Sequence, residues 1–172
     1  MPLNTLAGAF PMVPFINYEE WSVWDLSDEV ILPAIPSELP CLNGVYLLEG
    51  QVDPFYFGSS KDVCRRIRNH QQHWQDGLCI TRGRDMLEEE ERQTLEFVTG
   101  LMLLLTGAAT RNRRLDYPLP GTVNTDFALS FLYKALVPLW NEFGHQIGLP
   151  KKDYLAAAKQ VAALISCENF RQ

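Results

Sequence analysis

Two tyrosines, an arginine, a histidine and a glutamate follow one another along this chain at spacings that invite a chemical reading. Nine residues separate Tyr46 from Tyr56, Arg66 comes ten after Tyr56, and His70 four after that. Glu96 borders the most apolar run of the sequence, 97–109, and Asn112 lies sixteen residues beyond it. An arginine presents a permanently charged planar fork that can hold two phosphate oxygens. On a helix, His70 would share a face with Arg66 and could bind phosphate or pass a proton. A tyrosine, with an ordinary pKa near ~10, becomes a base only where a cation or an arginine lowers that value. A carboxylate in so apolar a stretch is costly unless something binds it, and a divalent ion held there would act as a Lewis acid. The Glu88–Glu91 run supplies alternatives, of which Glu91 shares an inward face with Leu87, Leu95 and Val98.

These side chains need elements to bring them together. Residues 44–48 read as a strand, 49–54 as a turn and 55–58 as a second strand, which makes a β-hairpin. Ser59 or Ser60 is placed to cap a helix over 61–74, with Asp62 in its first turn. Residues 79–81 suggest a third, short strand, and a long helix acidic at its start follows over 86–105. Beyond the Pro/Gly-rich loop 116–124, two more helices are expected over 125–143 and 151–166, parted by Gly148-Leu149-Pro150. The first 42 residues are rich in proline and tryptophan, with one short strand in 29–35. So many large apolar groups would be costly in water, so this extension should wrap on the core.

The order Gly44-Val45-Tyr46, turn, Tyr56-Phe57-Gly58, small residues at 59 and 60, Arg66, then His70 resembles the GIY-YIG nucleases. The likeness covers about 43–114. It implies an α+β fold: a small three-stranded antiparallel sheet flanked by helices. It divides the chain into an acidic, aromatic-rich extension at 1–42, a catalytic core at 43–114 and a helical extension at 115–172. It further implies a metal-dependent endonuclease that cuts phosphodiester bonds of double-stranded DNA. Tyr46, Tyr56, Arg66, His70 and Glu96 would be catalytic, with Glu96 holding Mg²⁺ or Mn²⁺. Gly58, Ser59, Arg65 and Asn112 would contact substrate. Phe57 departs from the small aliphatic residue usual in the second motif.

Each residue also has a plain structural role available. Tyrosines in a hairpin often only pack across strands, Arg66 is one of three arginines at 65, 66 and 68, and Asn112 could be a turn residue. The alternative function is therefore an inactive module of this fold that binds nucleic acid or a protein. The extensions would then serve a protein partner or a homodimer.

Charge bears on that choice. The chain carries −6 overall, yet residues 1–60 hold eight acids and no lysine or arginine. All 15 basic residues lie in 61–172 against thirteen acids, so a basic face can exist despite the total. An apolar content of 47% with 21% charged residues points to a folded globular chain. Cys41, Cys64, Cys79 and Cys167 form no CxxC pair, which argues for free thiols and a cytoplasmic setting. The apolar run 97–109 falls short of the ~20 residues that span a bilayer, so a buried helix and no membrane association are expected.

Overall fold

The computed structural model describes residues 16–26, 42–49, 56–68, 76–83, 86–107, 124–144 and 153–167. Five strands, β1 (Ile16–Tyr18), β2 (Trp21–Asp25), β3 (Gly44–Glu49), β4 (Tyr56–Ser60) and β5 (Asp76–Thr81), form one sheet in the order β1-β2-β5-β3-β4. Every pairing is antiparallel. The fold is α+β, as expected, but the three-stranded sheet is not: β1 and β2 come from the N-terminal extension and widen it to five. The strand expected in 29–35 lies outside the described residues.

Alternation along the strands gives the sheet two apolar faces. Val45, Leu47, Phe57, Leu78 and Ile80 point to one side, where they join the larger core with Trp21 and Val23. Tyr46, Leu48 and Cys79 point to the other, with Leu26, Leu42, Val63 and Cys64. Successive side chains on a strand face opposite ways, so one sequence can feed both cores.

A short helix, α1 (Val63–Arg68), covers the Tyr46 face. Its cap is Asp62 rather than a serine. Asp62 Oδ1 accepts from the Arg65 amide at 3.2 Å, and Ser60 Oγ accepts from the Asp62 amide at 3.0 Å. The serine thus fixes the residue that caps the helix.

The opposite face is covered by α2 (Glu89–Thr106), which buries Leu95, Val98, Leu101 and Met102 among others. Glu88 and Glu91 form a reciprocal capping box at its start, and Gly107 ends it at φ 78°, a left-handed conformation suited to glycine.

A further helical stretch runs through α3 (Thr125–Phe131), a π-helical turn (Leu132–Leu136) and α4 (Val137–Phe143). Pro138 explains the wide turn. It has no N–H, and its ring would meet the carbonyl one turn back, so the helix loosens just before it. The last helix, α5 (Tyr154–Ser166), packs chiefly on α2.

Trp21 anchors the N-terminal strands. It is fully buried, stands edge-on to Phe131 with centroids 5.2 Å apart, and donates from Nε1 to Ser130 Oγ at 3.1 Å. Burying one such ring contributes roughly 2–3 kcal/mol. Ser130 in turn donates to Glu20 at 2.7 Å, so the β1–β2 turn is bound to α3 by polar and apolar contacts. Among the described residues no helix is long and apolar enough to cross a membrane.

Candidate active site

Register places the two tyrosines side by side. In the β3–β4 pair Tyr46 faces Gly58, and Leu48 faces Tyr56, so both phenols project from the same side of the sheet. Their ring centroids lie 6.1 Å apart at 41°. Gly58 makes room for this. A Cβ at that position would lie 2.6 Å from Tyr46 Cζ and closer still to its hydroxyl. The glycine therefore serves as the floor on which the Tyr46 ring rests.

Arg66 completes the group. It projects from α1, whose Asp62 cap and Val63–Leu42 backbone hydrogen bond of 2.8 Å fix it against β3. Arg66 Nε donates to Tyr46 Oη at 2.9 Å. Tyr56 is a further hydrogen-bond partner of both Tyr46 and Arg66. Tyr46 is 2% exposed, whereas Arg66 remains exposed. One edge of its guanidinium thus holds the phenol while the side chain still faces solvent.

Burial, then the neighbouring Tyr56, push the Tyr46 phenol well above its ordinary pKa, and the pull of Arg66 in the other direction does not offset them. Tyr46 is therefore a neutral phenol in the resting chain. Arg66 is held firmly in its charged form, first by its hydrogen bond to Tyr46.

Ser59 is half-buried on β4, one residue beyond Gly58, and Arg65 is exposed on α1 beside Arg66. Glu96 sits half-buried on α2, between Leu95 and Phe97, which belong to the core on the other side of the sheet. The groups that shift Tyr46 and Arg66 are each other and Tyr56. His70 and Asn112 lie outside the described residues.

The rival carboxylate, Glu91, is engaged elsewhere. Its Oε1 accepts from the Glu88 amide at 2.9 Å and its Oε2 meets Arg82 at 3.3 Å. Among the described residues no three His, Cys, Asp or Glu side chains converge as a caged metal would need. By donor type, a single hard carboxylate such as Glu96 still fits Mg²⁺ or Mn²⁺, which take most of their shell from water and substrate oxygens.

Sequence reasoning missed a second concavity. A cleft of about 610 Å³ opens between the β1–β2 turn and the starts of α2 and α3. Glu20, Glu88, Glu90, Glu91 and Asp126 outnumber Arg82 and Lys134 on its walls, so it would repel a phosphate. Arg82 is spent there on Glu20, Glu91 and the face of Phe127, 5.2 Å from the ring centroid. The cluster around Arg66 instead presents an exposed guanidinium, a charge of the sign that a phosphate would need. Compared with family models, curated proteins and solved structures, the chain matches none of them.

Proposed function

We propose that this chain is a GIY-YIG-type, metal-dependent endonuclease that hydrolyses DNA phosphodiester bonds at the Tyr46–Tyr56–Arg66 cluster. One observation carries the reading. A strand, its hairpin partner and a capped helix bring two phenols and a guanidinium into direct contact, with the Arg66–Tyr46 bond at 2.9 Å.

In the reaction, water adds its hydroxide to phosphorus, the bond from phosphorus to the 3′ oxygen breaks, and that oxygen leaves with a proton. Arg66 binds the non-bridging phosphate oxygens with the N–H groups that Tyr46 does not use, and so neutralises charge as it builds. Tyr46 and Tyr56 orient the attacking water from one side of the sheet. Tyr46 can accept the water's proton only once its pKa is drawn down. Glu96 would hold the Mg²⁺ or Mn²⁺, which supplies Lewis-acid stabilisation of the phosphate and leaving group when bound.

The test is nicking of supercoiled plasmid in Mg²⁺ or Mn²⁺. Arg66→Ala and Glu96→Ala should each lower the rate by about 10²-fold or more. Intact plasmid under every metal and DNA form would end the proposal.

A second reading, an inactive module that binds nucleic acid or a protein, is favoured by the burial of Tyr46 and the strength with which it keeps its proton. Calorimetry separates the two. The inactive module has no Glu96-dependent Mn²⁺ site, and the nuclease has one.

A further inference from the structure

The residue before β3 makes a contact that the chemistry above does not use. Asn43 is only 5% exposed. Its Nδ2 donates to the carbonyl of Leu87 at 2.9 Å, and its Oδ1 accepts from Arg92 Nη1 at 3.2 Å. Arg92 Nη1 also donates to the Leu87 carbonyl, at 2.6 Å. Three groups, an amide, a guanidinium and one carbonyl, therefore close a small ring of hydrogen bonds.

That ring joins two elements of the proposed site. Asn43 stands three residues before Tyr46, on the chain that enters β3. Leu87 precedes the cap of α2, and Arg92 lies in its first turns. Arg92 and Glu96 are four residues apart, so they occupy one face of that helix. Holding Arg92 against the root of β3 therefore fixes the rotation of the helix about its axis, and with it the direction in which Glu96 points.

Apolar packing alone would not do this. Leu95, Val98 and Leu101 tolerate small slips against a sheet, because dispersion contacts are individually weak and non-directional. A buried amide with both ends engaged admits one arrangement. We propose that Asn43 and Arg92 form a positioning latch that sets Glu96 relative to Tyr46, and that catalysis and cation affinity both depend on it. The inference rests on the nuclease reading of the site.

The test uses the full chain and four variants: Asn43→Ala, Asn43→Asp, Arg92→Met and Arg92→Lys. The readouts are plasmid nicking, separated into kcat and KM, and Mn²⁺ affinity by calorimetry. Thermal unfolding identifies any variant that fails to fold. Arg92 is only half-buried, so Arg92→Met keeps the question open should Asn43→Ala not fold. The expected result for Arg92→Met is a fall in kcat of about tenfold or more, with KM nearly unchanged and Mn²⁺ bound several-fold more weakly. Arg92→Lys keeps a donor and should recover part of both losses. Asn43→Asp keeps the acceptor for Arg92 but loses the donor to Leu87, and should fall between Asn43→Ala and the parent.

Folded Asn43 and Arg92 variants with the parent's kcat and Mn²⁺ affinity overturn the latch and leave the nuclease reading intact. A parent chain that neither nicks DNA nor binds Mn²⁺ overturns both, since nothing would then be there to position.

Discussion

Gly58→Ala adds one methyl group at the point where β4 supports the Tyr46 phenol, and its cost can be worked from the structure. The new carbon would lie 2.6 Å from Tyr46 Cζ, whereas carbon atoms rest at about 3.5–4.0 Å. The ring must therefore retreat by roughly 1 Å or the strands must part. Tyr46 is 2% exposed, so it has no open space to enter. Overpacking of this kind destabilises by about 1–3 kcal/mol, or a fall in Tm between about 2 and 12 °C for a chain of this size. The functional loss should be larger than the loss of stability suggests. A 1 Å retreat takes the Arg66–Tyr46 contact from 2.9 Å to nearly ~4 Å, beyond hydrogen-bonding range. Misplacement on that scale can lower the rate by about 10²-fold. Two assays run in parallel check this, plasmid nicking and thermal unfolding. In Gly58→Ala combined with Tyr46→Phe, the added methyl and the lost hydroxyl relieve each other, so the stability changes should fall short of their sum. A Gly58→Ala chain with parental Tm and nicking rate would refute the packing argument outright.

Arg66→Lys should nick DNA hardly better than Arg66→Ala, because an ammonium cannot hold Tyr46 and grip two phosphate oxygens from one planar fork; restoration of the parental rate would count against the proposed role. Thr99→Val should stabilise the fold by about 1 kcal/mol, since the Thr99 hydroxyl is buried with no partner among the described residues; a lower Tm for the valine chain would contradict this. Tyr46 holds its proton more tightly folded than unfolded, so its contribution to stability is complete below about pH 10 and is lost as pH climbs further. Denaturation between pH 9 and 12 should show a decline of up to about 1.4 kcal/mol per pH unit above pH 10, part of which Tyr46→Phe removes; identical profiles would show that Tyr46 does not contribute.

The hairpin that carries the phenols was legible because its signals are local. Alternation in 44–48, a turn, and a strand ending at Gly58 match the pairing of Tyr46 with Gly58. The step to Arg66 was equally readable, since a helix following the second strand sets its place by residue count. β1 and β2 were not read as strands, although 16–25 alternates in the manner of β-strands. Their turn is Glu19-Glu20, and Glu19 adopts φ 55° without the glycine or asparagine that normally announces it. The turn is held by tertiary contacts, Glu19 to Lys134 at 3.2 Å and Glu20 to Ser130 at 2.7 Å, which no local pattern records. Pro138 was a readable warning of the π-helical turn. The inward periodicity of Glu91 pointed to a ligand, but that carboxylate closes a capping box and binds Arg82. Helix periodicity gives a direction, and only the partner found in that direction gives a role.

The protonation of Tyr46 sets a condition on any mechanism at this cluster. Arg66 already touches the phenol, yet burial and Tyr56 still hold its pKa above the ordinary value. A base must lose its proton before it can take one from water, so more positive charge has to reach the site than Arg66 provides. In the proposed mechanism that charge is a divalent ion held by Glu96, a half-buried carboxylate of α2. Nicking should therefore cease in EDTA between pH 7 and 9, return with Mg²⁺ or Mn²⁺, and stay low with either metal in Glu96→Gln. Tyr46→Phe should lower kcat and flatten the rise in rate towards alkaline pH, with DNA affinity nearly unchanged. Turnover that persists in EDTA, or a Tyr46→Phe enzyme with the parental pH profile, would mean that Tyr46 positions the water as a neutral phenol and that another group takes the proton.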